Sequence, residues 1–109
     1  MELGRFSVSL AVEDLARSRK FYEALGFAQV AGEPDQGWII LKNGDAKVGL
    51  FHGMFEDNLM TFNPMDARTV EATMREQGYE PVTGTEAGDG PCHFLLKDPD
   101  GNLLLVDQH

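Results

Sequence analysis

The stretch Val12-Glu13-Asp14-Leu15-Ala16-Arg17-Ser18-Arg19-Lys20-Phe21-Tyr22-Glu23-Ala24-Leu25-Gly26-Phe27 decides the fold, because its pattern occurs twice in the chain. Asp14 is placed to cap a helix, its carboxylate accepting from first-turn amides that have no partner inside the helix. Leu15, Ser18, Tyr22 and Leu25, with Phe21 beside them, fall along one helical face, and Gly26 stops the helix by tolerating positive φ. Displaced by 52 residues, Asp14 meets Asp66, Gly26 meets Gly78, Phe27 meets Tyr79 and Val30 meets Val82. The second copy places Val70, Thr73, Met74 and Gln77 on its helical face.

Strand patterns flank both helices. Phe6-Ser7-Val8-Ser9-Leu10-Ala11-Val12 alternates large apolar with small residues, as a half-buried strand does, and its repeat falls on Asn58, Met60 and Phe62. Three further strands are predicted after the first helix, at Phe27–Gly32, Gly37–Lys42 and Ala46–Phe51. Three are predicted after the second, at Glu80–Thr85, Cys92–Lys97 and Leu103–Asp107. Asn43-Gly44 is a hairpin turn, and Asp98-Pro99-Asp100-Gly101-Asn102 is a second turn. The expectation is an α+β fold in a single domain, 1–109, made of two tandem βαβββ modules at 5–53 and 58–109. Each module covers one sheet face with its helix and leaves the other open. Exposed apolar sheet is costly, so the open faces are expected to form a cleft between curved mixed sheets. The linker Gly53–Asp57 is short, so the modules pair within one chain or exchange between two, and a homodimer is expected.

Composition narrows the partners. The chain of 109 residues is 42% hydrophobic and 25% charged, an ordinary globular balance. Nine Lys and Arg against eighteen Asp and Glu give a formal charge of -9, which repels a phosphate backbone and argues against nucleic acid. The single cysteine, Cys92, excludes an internal disulfide and fits a reducing compartment, so a cytoplasmic location is expected. No run approaches the roughly 18–20 apolar residues of a membrane span. The N-terminal residues carry no signal-peptide core.

Val12-Glu13-Asp14-Leu15, Ser18, Phe21-Tyr22 and Leu25-Gly26-Phe27, closing with Asp98-Pro99-Asp100-Gly101-Asn102, resemble the vicinal oxygen chelate superfamily. That group takes in glyoxalase I, bleomycin-resistance proteins, extradiol dioxygenases and fosfomycin-resistance proteins. The resemblance covers nearly the whole chain and implies paired βαβββ modules, in agreement with the repeat. Active members hold a divalent metal with four His, Glu or Gln side chains, and the metal grips two neighbouring substrate oxygens as a Lewis acid. Carried over by offset from the shared motifs, the four positions are Ser7, Gly49, Leu59 and Leu105. None is a credible ligand for a divalent cation. The resemblance therefore implies a fold without the metal set; no cofactor and no ordinary glyoxalase I activity are expected.

The other chemical side chains offer little. His109 is the last residue, and His52 lies three positions from Gly49 and so on the opposite face. Alternation does not fix the facing of His93, which with Asp107 would begin a displaced metal set. Cys92 reads as an inert thiol, with no base near it in sequence. The loop Glu86-Ala87-Gly88-Asp89-Gly90-Pro91 has the composition of a lid. Alternation gives the cleft Ser7, Ser9 and Ala11 with Gly49 and Phe51 on one face. Leu59, Thr61 and Asn63 with Leu103, Leu105 and Asp107 fall on the other, and Lys47 sits at the rim. Trp38 belongs either to the core or to a flat surface for a planar ligand. Ser7, Ser9, Trp38, Lys47, Phe51, Leu59, Thr61, Asn63, His93, Leu103 and Leu105 are the expected ligand-binding residues, and no catalytic residue is assigned. A metal-free protein that binds a small, partly apolar molecule is the leading expectation. The alternatives are a lyase, isomerase or dioxygenase with a displaced metal set, and a purely structural role.

Overall fold

The computed structural model describes residues 1–109. The elements in order are β1 (Arg5–Ala11), α1 (Leu15–Ala24), β2 (Ala28–Glu33), a 3-10 turn at Pro34–Gln36, β3 (Trp38–Asn43) and β4 (Ala46–Phe51). They continue with β5 (Leu59–Asn63), α2 (Ala67–Glu76), β6 (Cys92–Lys97) and β7 (Leu103–Gln108). Contacts divide the chain into two compact units, one of Ser7–Asn58 and one that contains both Met1–Phe6 and Leu59–His109.

In the first unit the strand order is β2-β3-β4-β1, with β1 parallel to β4 and the remaining pairs antiparallel. Asp14 caps α1, its carboxylate accepting from the Arg17 amide at 3.0 Å. Ile39, Leu41 and Leu50 are fully buried beneath the helix, and Leu10, Val12, Leu15, Tyr22, Phe27 and Val48 pack around them. The Tyr22 ring meets the Phe27 ring edge-on at 5.7 Å. Leu25, expected on the packed face, is the helix's C-cap and is 58% exposed, as Phe21 is at 63%. The helix ends before its apolar stripe completes another turn, so Leu25 has no core to enter.

In the second unit the order is β5-β7-β6, with β5 parallel to β7 and β6 antiparallel to it. Asp66 caps α2 by accepting from the Thr69 amide at 3.1 Å and from its hydroxyl at 2.7 Å, which holds the Asp66 pKa down. Ala67, Val70, Cys92, Phe94, Leu96 and Val106 form the core, with Leu3, Met74 and Leu104 against it. Asp98 closes the β6–β7 turn, accepting from Asp100 N and Asn102 N and from the Asn102 side-chain amide.

The strand expected at Glu80–Thr85 is reduced to one bridge, Thr83 to Leu95, with Val82 N donating to Leu95 O at 2.7 Å. Pro81 has no amide to give a ladder. The Thr85 amide is drawn away to Glu71 on α2, donating to Oε2 at 3.1 Å, and the Thr85 hydroxyl donates to Oε1. The loop that follows is also fastened. Arg68 Nε donates to Glu86 O at 3.0 Å and a terminal guanidinium nitrogen to Gly90 O at 2.9 Å. Gln108 adds a side-chain amide bond to Gly90 O at 3.2 Å and accepts from Ala67 N at 2.8 Å. The lid expected at Glu86–Pro91 is thus tied to the helix side of its module.

Candidate functional site

Helix packing identifies the sheet face of each module that its own helix leaves uncovered, called its free face below. In the first, Ile39, Leu41, Val48 and Leu50 face α1, so the alternate residues of β3 and β4 face away from it. Three rungs follow one another on that face: Trp38 opposite Phe51, Ile40 opposite Gly49, and Lys42 opposite Lys47. On the neighbouring strand β1, Ser9 stands beside Gly49 and Ala11 beside Phe51. Ser9 is buried, at 6% exposure. Glu33 of β2 flanks Trp38 on the other side.

Trp38 belongs to this face and not to the buried core beneath α1. Its ring lies within 4° of parallel to that of Phe51, with centroids 6.3 Å apart. The Phe55 ring meets Phe51 at 5.2 Å. Phe51 folds back along its own strand over Gly49, so that a Cβ on Gly49 would stand 2.5 Å from Phe51 Cε2 and 3.1 Å from Ile40 Cδ1. Gly49 is therefore the floor of an aromatic surface.

In the second module, Phe94, Leu96, Leu104 and Val106 face α2. The face turned away from α2 carries Leu59 opposite Leu103, Thr61 and Leu95 on either side of Leu105, Lys97 opposite Leu103, and His93 opposite Asp107, with Leu59 and Thr61 buried. The facing of His93, open from sequence, is thereby fixed toward Asp107. Asn63 donates its side-chain amide to Asp107 O at 2.9 Å, and the same nitrogen lies 3.2 Å from His109 Nε2, which accepts when its proton is on Nδ1. Cys92 is buried on the opposite face, its thiol 3.8 Å from Gln108 Oε1.

His52 lies outside the first module's free face, with Nδ1 3.1 Å from Val12 O. It borders a hollow of about 490 Å³ at the start of α1, shared with Glu13, Asp14 and Asp35. Part of the acidic surplus is gathered there.

The four positions implied by family resemblance do not fit a metal. Leu59 and Leu105 offer only hydrocarbon, Gly49 has no side chain and its side-chain space is filled by Phe51, and the Ser7 hydroxyl is a weak neutral donor. No group of three or more His, Cys, Asp or Glu side chains is gathered so that it would hold a metal ion. Sequence reasoning missed Lys42, Ile40 and Phe55 on the first module's face. Parity with Trp38 would have found Lys42 and Ile40, whereas Phe55 lies beyond β4, where no alternation applies.

The fold and its sequence now define the class. The sequence model of the Glyoxalase/Bleomycin resistance protein/Dioxygenase superfamily matches residues 4–106, and the chain belongs to that superfamily. A superfamily member from Vibrio splendidus 12B01 is similar in structure, with a TM-score of 0.78 at 19% identity over 96% of this chain and 98% of that one. A structure described as an NAD-dependent benzaldehyde dehydrogenase from Legionella pneumophila aligns with a TM-score of 0.79 at 16% identity, over 94% and 97%. Methylmalonyl-CoA epimerase from Mycobacterium tuberculosis aligns at 0.71 and 18% identity, over 95% and 87%. No curated protein matches the chain closely enough to count as a relative. Likeness at these identities carries the fold and leaves activity to the site. No helix is long and apolar enough to cross a membrane.

Proposed function

We propose that this superfamily member binds a small, partly apolar molecule on the free sheet face of its first module, without a metal at the family positions. The observation that carries the reading is the parallel pair Trp38 and Phe51, laid beside and over Gly49 on a face its helix does not cover. A parallel pair of large aromatic rings offers apolar surface for burial, as small-molecule sites commonly do. Trp38 is the sole tryptophan, so its emission reports occupancy directly. Titration with planar aromatic compounds is expected to change that emission saturably and to raise Tm by linkage. A screen in which no compound does either rejects the proposal.

The second reading is a metal-dependent lyase, isomerase or dioxygenase with a displaced ligand set. It is favoured by one observation, that His93 and Asp107 stand opposite each other on a free face. Two donors fall short of the three protein ligands typical of a catalytic zinc site. Loading the protein with manganese, cobalt, nickel or zinc and then desalting separates the two. Stoichiometric retention that is lost in His93→Ala selects the second reading.

A further inference from the structure

Lys42 and Lys47 face each other on the same side of the sheet as the aromatic pair, two rungs along the same hairpin. Like charges directly opposite each other destabilise a strand pair. Acidic residues outnumber basic ones by eighteen to nine, yet neither lysine forms an ion pair. The ion pairs of the protein are Arg19 with Glu23, Arg75 with Glu71 and Arg75 with Glu80. Protection of a sheet edge does not account for the pair. Lysines serve that role on edge strands, whereas β3 and β4 both lie inside the order β2-β3-β4-β1.

The three rungs thus form a gradient on one face: aromatic at Trp38 and Phe51, small and apolar at Ile40 and Gly49, cationic at Lys42 and Lys47. Successive rungs on one face are separated by about 6.8 Å, two residues of strand. Phe51 reaches back over the middle rung, so the aromatic surface ends about one rung from the Lys42–Lys47 pair. We propose that the first module's free face takes a small aromatic anion, its ring on Trp38 and Phe51 and its carboxylate between the Lys42 and Lys47 ammonium groups. The inference rests on the binding reading above and adds the ligand's charge and class. The net charge of -9 by itself would favour a cation, but the local charge on this face at the lysine rung is the opposite one.

The test compares three probes of one shape by calorimetric titration of the full chain: 2-naphthoate, the neutral 2-naphthalenemethanol and the cationic 2-naphthylmethylammonium. The anion is expected to bind about three- to tenfold more tightly than the alcohol, the gain of one or two partly exposed charge contacts. The cation is expected to bind most weakly. In the Lys42→Gln, Lys47→Gln double variant the anion is expected to fall to the level of the alcohol, whose own affinity stays unchanged. The double Arg variant is expected to keep the preference. Removing the facing charges is also expected to raise Tm, which shows the Gln variant folded. Equal binding of anion and alcohol by the parent protein overturns the inference and leaves the aromatic floor standing. A preference that survives the Gln substitutions, or a lowered Tm, overturns it as well. If no probe binds up to about 10 mM, the binding reading fails and this inference fails with it.

Discussion

The ring of Phe51 occupies the space a side chain on Gly49 would need: a Cβ there would lie 2.5 Å from Cε2 and 3.1 Å from Cζ. Family resemblance puts a metal ligand near this position, and the chain has instead removed the side chain and laid an aromatic ring across the gap. The two residues are therefore one device, and a substitution at either acts through the other.

Gly49→Ala is expected to force the Phe51 ring off its seat and lower stability by about 1–3 kcal/mol, the usual cost of overpacking. Phe51→Ala in the same chain is expected to remove most of that additional penalty, giving strong coupling in a double-mutant cycle. Urea unfolding of the four proteins measures it. Additive losses would show that Phe51 does not rest on Gly49.

Glu71 is a buried carboxylate on α2, at 8% exposure. Burial acts to raise its pKa, but the Thr85 hydroxyl and amide and the Arg75 guanidinium together outweigh it and hold the pKa below the ordinary 4.5. A folded-state pKa that is depressed gives stability that is full above the ordinary value and is lost as pH falls through the folded one. The stability advantage of the parent over Glu71→Gln is therefore expected to be greatest above about pH 4.5 and to shrink below it. A gap that persists unchanged into acid would contradict this.

Arg68 fastens the loop after α2 at two carbonyls, those of Glu86 and Gly90. In Arg68→Ala the amides of residues 86–90 are expected to exchange with solvent about tenfold faster, through easier local opening. The core amides of Phe94 and Val106 are expected to change little. Hydrogen exchange read by mass spectrometry checks both. Equal acceleration everywhere would mean the clamp supports the whole fold and not the loop.

Cys92 is 7% exposed and begins β6, with its thiol near Gln108 Oε1. Ellman's reagent is expected to leave it untouched in the native protein and to titrate one thiol after unfolding. Rapid modification of the folded chain would reveal an opening that the structure does not show.

The helices and most strands were legible because each rests on local chemistry. Asp14 and Asp66 are caps wherever an unpaired helix amide follows, and strands Ala46–Phe51 and Cys92–Lys97 lie where alternation puts them. Glu80–Thr85 misleads because a β-rich composition competes with Pro81, which cannot donate, and with a carboxylate fourteen residues earlier in the chain. No local pattern reports that Glu71 will claim Thr85.

The sequence by itself determined the two-module architecture and the family. Those follow from residue type and periodicity, which every copy of the chain carries before it folds. Only the tertiary structure decided that the Trp38 ring lies parallel to that of Phe51, that His93 faces Asp107, and that Lys42 and Lys47 stand opposite each other without an ion pair. These are matters of strand register and ring orientation. They are fixed by how side chains on neighbouring strands pack across a sheet, and one strand's sequence cannot specify its partner.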